Sequence, residues 1–157
     1  MTVPAHRIPT QPRVAVDSVL GMSRARLNEL FSVSEEGPIP VGRGRGTVVF
    51  ATGTFLAGIV ARLTYALVWR GKVFDAERDE LLNIVSPLGV MAIRARVYKD
   101  SSWVDGRECT VLDYSNTSKV AHWIRDEIRE VAPGVFLGQV FWSKAKLLKF
   151  VLVFTRP

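Results

Sequence analysis

The chain has 157 residues, 48% hydrophobic and 23% charged, with a net charge of +6 and a pI of 9.9. That length sustains one buried core without disulfides or metals, and the composition excludes a disordered chain. The single cysteine, Cys109, excludes an internal disulfide, and two histidines, His6 and His122, without clustered cysteines exclude a zinc site of three protein ligands.

Residues 1–13 contain Pro4, Pro9 and Pro12 and lack the basic-then-apolar profile of a secretion signal, so they read as a flexible tail before a single domain over 14–157. From Val14 to Val33 the residues Val16, Val19, Leu20, Leu27, Leu30 and Phe31 recur at helical spacing, interrupted at Gly21. The following "SEEGPIPVGRGRG" is a loop, with "GRGRG" at 42–46 a flexible lead-in to the strand "TVVF". Two arginines in one copy make no nucleic-acid tract, and the remaining basic residues are interleaved with acids, so no specific nucleic-acid partner is expected.

Thr47 to Trp69 carries one charge in 23 residues, Arg62. A central arginine costs about 2.5 to 3.5 kcal/mol on insertion scales, and Gly53 and Gly58 break the run, which argues against a membrane span. Leu56, Ile59, Val60, Leu63, Ala66 and Leu67 share one helical face, and we expect a short covering helix over Thr54–Leu67. Segments of strand character follow: "LVWRGKVF", "ELLNIV", "VMAIRARVY", "ECTVLDY", "GVFLGQVFW" and "LLKFVLVF". Their spacing predicts a mainly β protein with minor α, an antiparallel barrel or sandwich, and excludes an alternating parallel nucleotide-binding sheet. Cys109, within "ECTVLDY", reads as a buried inert thiol in a reducing, cytoplasmic setting.

Within "AIRARVY", Ile93, Ala95 and Val97 fall on one face and Arg94, Arg96 and Tyr98 on the other. In an ordinary sandwich the arginines meet water. In a closed ligand barrel they would clamp a carboxylate, because a guanidinium offers paired donors.

Residues 118–131 are ambiguous, with five charges packed into Arg125–Glu130. At helical spacing Val120, Ile124, Ile128 and Val131 form a stripe with Ser118 as N-cap; as a strand the segment leaves charge on both faces. Against the helix, "APG" suits a hairpin turn and "VFLGQVFW" is a strand.

The run Asp126-Glu127-Ile128-Arg129 followed by Pro133-Gly134-Val135-Phe136-Leu137-Gly138 resembles the late hairpin of calycin-like, lipocalin-type barrels. Trp69, Gly71, Lys72 and Phe74 match the "W-x-G-K-x-F" of bacterial GXWXG-domain proteins, although Gly44 stands where the first motif of that family has tryptophan. The resemblance implies a calycin-like barrel, to which the helical periodicity read above adds an N-terminal helix and a short covering helix. It also implies a brief helical turn over Ser118–Trp123, then a strand over Arg125–Val131. On that fold Asp126 or Glu127 pairs with Arg94, Arg96 or Arg129.

The function expected of such a barrel is binding of an apolar or amphiphilic, fatty-acid-like small molecule. Arg94, Arg96, Tyr98, Trp69, Trp123 and Arg129 are its candidate ligand contacts. The alternative is an isomerase, cyclase or hydrolase using Asp126, Glu127, Asp113 and Tyr114 as acid and base; ion pairing is the ordinary role of such carboxylates. No cofactor is expected. His122 could at most serve as one axial haem ligand, as in some related barrels, and is otherwise a packed or half-exposed side chain. A membrane surface drawn to the net positive charge is a third class of partner, and the sequence assigns no oligomeric state.

Overall fold

A computed structural model describes residues 12–51, 71–84, 92–119 and 121–154. Its chain order is α1 (Pro12–Leu20), α2 (Arg24–Val33), β1 (Gly42–Ala51), β2 (Gly71–Asp75), β3 (Glu80–Ile84), β4 (Ala92–Ser101), β5 (Glu108–Asp113), β6 (Ile124–Ala132), β7 (Val135–Trp142) and β8 (Ala145–Phe154). Each strand pairs antiparallel with the next, and β1 with β8, closing an eight-stranded barrel. The expectation of a mainly β protein with minor α and an N-terminal helix therefore holds. The covering helix expected over 54–67 lies outside the described residues, as does most of the N-terminal tail.

The long amphipathic segment is two helices because Ser23 leaves the helical region, with φ −67° and ψ 161°, and its hydroxyl accepts from Arg26 N as the N-cap of α2. Pro12 sits at the first position of α1, where a missing N–H costs nothing. Ala15, Val19, Leu27, Leu30 and Phe31 pack on the outside of the barrel against Ala132, Val135, Leu137 and Val151.

Alternation along the strands gives β7 and β8 two apolar faces. Phe136, Val140, Phe150 and Leu152 point inward, while Leu137 and Val151 point out under the helices. The inner cluster also gathers Phe74, Leu81, Ala95, Val97, Leu112, Tyr114, Ile128 and Phe154.

"GRGRG" is paired strand, not a flexible lead-in: Gly42 and Gly44 pair with β2, and Gly44 with Phe154 of β8. The glycine is required by a close approach, because a Cβ on Gly44 would lie 2.5 Å from the Phe154 ring.

The ends of the barrel differ. At the lower rim, residues 35–40 cross beneath the strands: Glu130 N donates to Glu35 O at 3.2 Å, Lys99 Nζ donates to Gly37 O, and Ile39 packs against the inner cluster. At the upper rim lie the starts of β2, β4, β6 and β8 and the ends of β1, β3, β5 and β7.

One lysine lies between barrel and helices. Lys149 on β8 is 4% exposed, its Nζ donates to Gln139 Oε1 at 2.7 Å, and it stands 5.4 Å from the centre of the Phe31 ring. Burial, then the neighbouring charges of Lys146 and Arg24, pulls its ammonium down to about 8 from the ordinary 10.5. Between those values the unfolded chain binds more protons than the folded one, so stability rises with pH across that window; below it both states are protonated and the penalty is complete. Lys149→Met should abolish the rise and stabilise the protein at neutral pH by on the order of 2 kcal/mol. Urea midpoints measured across that pH range check this, and a flat wild-type profile would refute it.

Candidate functional site

Inside the barrel, near the upper rim, three polar side chains from three strands meet. Lys72 is the second residue of β2, Tyr114 follows the last residue of β5, and Asp126 is the third residue of β6. Lys72 Nζ donates to Tyr114 Oη at 2.6 Å and to Asp126 Oδ2 at 2.9 Å; Tyr114 Oη donates to the same Oδ2 at 3.3 Å. All three are buried, at 2%, 1% and 3% exposure, so the ion pair is shielded from water. Their surroundings are apolar: the register sets Asp126 between Leu112 and Val140, and the Phe150 ring centre lies 5.4 Å from Lys72 Nζ.

Both donors converge on one oxygen of Asp126. Its Oδ1 is buried and has no hydrogen-bond partner among the described residues. Such an orphaned carboxylate oxygen costs stability unless something completes it. Among the described residues Thr110 Oγ1 is also buried without a partner, on the same face of β5 as Leu112 and opposite Ile128, deeper in the barrel. Burial, then the charge and hydrogen bond of Asp126, drives the Tyr114 hydroxyl well above the ordinary tyrosine range. Tyr114 is therefore a protonated donor and not a base.

The other candidates are elsewhere. Ala95 and Val97 take the inner face of β4, so Arg94 and Arg96 are on the outer wall and exposed; Arg94 pairs with Glu80 at 3.5 Å. Tyr98, also outward, donates to Asp113 Oδ2 at 2.9 Å. The inward carboxylate clamp of Arg94, Arg96 and Tyr98 is thus not formed, because the small and apolar alternate residues fill the inside.

Asp113 and Tyr114 are neighbours and so face opposite ways, as do Asp126 and Glu127; neither pair is an acid and base facing one cavity. Glu127 points outward under the loop 102–107, accepting from Trp103 N at 2.8 Å, from Ser102 Oγ and from Arg125 Nε. Arg129, fully buried on the same outer face, is held by both oxygens of Asp105 at 2.7 Å and by the carbonyl of Phe31 at 2.9 Å. These two residues fasten the 102–107 loop and α2 to the wall. The partner of Asp126 is accordingly Lys72, not Arg94, Arg96 or Arg129.

Trp123 stands at the upper rim, 52% exposed, with its ring stacked on Trp142 at 5.9 Å. His122 contacts the Trp123 ring, and its Nδ1 lies 2.9 Å from Lys119 O. Trp69 lies outside the described residues. Among the described residues of 118–123 there are turns and bends and no helix: Ala121 N donates to Ser118 Oγ, and Ile124 N to Ala121 O. Cys109 is buried and its thiol is pushed up to about 12, first by burial and then by the Glu127 charge, which leaves it inert. Among the described residues no three His, Cys, Asp or Glu side chains gather as a metal site requires, and no helix is long and apolar enough to cross a membrane.

Sequence reasoning missed Lys72. Its signal was present: in "GKVF" the lysine and Phe74 share a strand face, so a lysine stands in an inward position.

No family model matches the chain, and no curated protein matches it. The likeness to GXWXG proteins therefore rests on short motifs alone. Among solved structures the chain is similar to one described as "Crystal structure of protein from Thermomonospora curvata", with a TM-score of 0.64 and 23% identity over 90% of this chain and 93% of that chain. At that identity the similarity shows a shared fold across nearly the whole of both chains, and the fold alone.

Proposed function

We propose that the protein is a calycin-like binding barrel that holds one apolar or amphiphilic small molecule, with the polar end of the ligand at Lys72, Tyr114 and Asp126. The observation that carries this reading is the buried polar cluster on the inner wall, in which Asp126 Oδ1 has no hydrogen-bond partner among the described residues. A barrel built only for stability gains little from it, since a buried ion pair is generally no more stable than well-packed apolar residues of similar volume. An apolar surround with a few placed polar groups is the usual composition of a small-molecule site. The lower rim is crossed by residues 35–40, so the ligand enters from the upper rim, past Trp123 and Trp142.

An enzyme in the same cavity has less support, because Tyr114 is held protonated and Asp113 and Glu127 face outward. The test is native mass spectrometry of the purified protein alone and with straight-chain amphiphiles. One molecule retained per chain, lost in the double variant Lys72→Met/Asp126→Leu with an unchanged circular dichroism spectrum, is the expected result. Retention of no compound at all, or equal retention by the double variant, would sink the reading.

A further inference from the structure

The polar cluster also restricts the kind of head group, an inference that rests on the binding reading above. Lys72 and Asp126 already neutralise each other at 2.9 Å, with Tyr114 bridging them. A charged head group of either sign would enter a water-poor interior without a counterion of its own. An ionised carboxylate would face the Asp126 oxygen, and an ammonium would face Lys72. Both would lose their hydration for a pair whose charges are already committed to each other.

What the site lacks is a donor. Asp126 Oδ1 accepts nothing among the described residues, while Oδ2 accepts from both Lys72 and Tyr114. We infer that the barrel selects a neutral hydrogen-bond donor, an alcohol whose hydroxyl donates to Asp126 Oδ1, over the fatty-acid anion of the same chain length. The hydroxyl is small, carries one donor and brings no charge, so it completes the carboxylate at the least desolvation cost. Donation to a charged acceptor is also among the stronger hydrogen bonds. The outward position of Arg94 and Arg96 removes the guanidinium groups that would have favoured an anion.

The test is isothermal titration calorimetry of the full chain at about pH 8 with dodecanol, dodecanoate and dodecylamine, each below its aggregation limit, so that the acid is ionised and the amine protonated. Dodecanol should bind at least about tenfold more tightly than either charged probe. Tighter binding of dodecanoate or dodecylammonium would overturn the inference and leave the binding barrel standing; binding of none of the three would overturn both. Asp126→Asn removes the acceptor charge and leaves the Lys72 ammonium without its carboxylate, so the preference should move toward dodecanoate. An unchanged preference in that variant would also overturn the inference. Should Asp126→Asn fail to fold by circular dichroism, the ranking of the three probes on the wild-type protein decides alone.

Discussion

Lys72→Met should destabilise the barrel by roughly 3 to 5 kcal/mol, because it strands the Asp126 carboxylate in an apolar interior where, among the described residues, the Tyr114 hydroxyl is its remaining partner. Adding Asp126→Leu to the same chain should return most of that loss, since the paired apolar residues need no desolvation of charge. Guanidinium denaturation of the single and double variants checks both halves. A single variant as stable as wild type would mean that water reaches the pair. A double variant as unstable as the single one would mean that the ion pair is needed for the fold itself. Recovery of stability with loss of ligand is the combination that separates a site from a structural bridge.

Arg129→Met should cost a similar amount, about 3 to 5 kcal/mol, by a different route. The guanidinium is fully buried on the outer wall and satisfies both Asp105 oxygens and the carbonyls of Phe31, Arg107 and Glu108. Removing it leaves several acceptors without donors at once. The damage should be local as well as global: hydrogen exchange should speed up in residues 102–107 and at the end of α2, where Arg129 ties both to β6. Hydrogen bonds from Arg129 hold the Asp105 carboxyl below its ordinary range against the opposing effect of burial. Its contribution to stability is therefore present above the unfolded value of about 3.9 and is lost as pH falls through the lower folded value. In Arg129→Met that acid-side loss should shrink. Ligand binding should survive in the fraction that remains folded, because Arg129 faces away from the inner cluster; abolished binding in folded Arg129→Met would contradict the placement of the site.

The elements that local rules govern were legible. In "AIRARVY" a period of two set one face of β4 against the other, and the structure keeps that division, with Ala95 and Val97 buried and Arg94 and Arg96 exposed. What alternation cannot give is which face is the inside. The polar face was a plausible lining for a ligand barrel, yet it is the outer wall, because the inner volume at β4 is taken by Phe74, Leu81 and Leu112 against Ala95 and Val97. "GRGRG" misled for a related reason. Glycine weakens a strand in isolation, and only the Phe154 ring lying across Gly44 shows why a residue without a side chain is needed there.

The stretch from Arg125 to Glu130 marks the boundary most sharply. Its own periodicity favours a helix, and as a strand it sets charge on both faces. The strand forms because each buried charge meets a partner remote in sequence: Lys72 for Asp126 on the inside, Ser102 and Trp103 for Glu127, and Asp105 for Arg129 on the outside.

By itself, then, the sequence determined the mainly antiparallel β class, the positions of most strands, the amphipathic N-terminal segment and the inert thiol, all of which follow from spacing and composition over short distances. Only the tertiary structure decided the inner and outer faces, the pairing of Lys72 with Asp126, and the separation of Arg129 and Glu127 from the barrel interior. Those depend on closure of the barrel, which brings β2 and β6, 54 residues apart at the Lys72–Asp126 contact, to face each other across one interior.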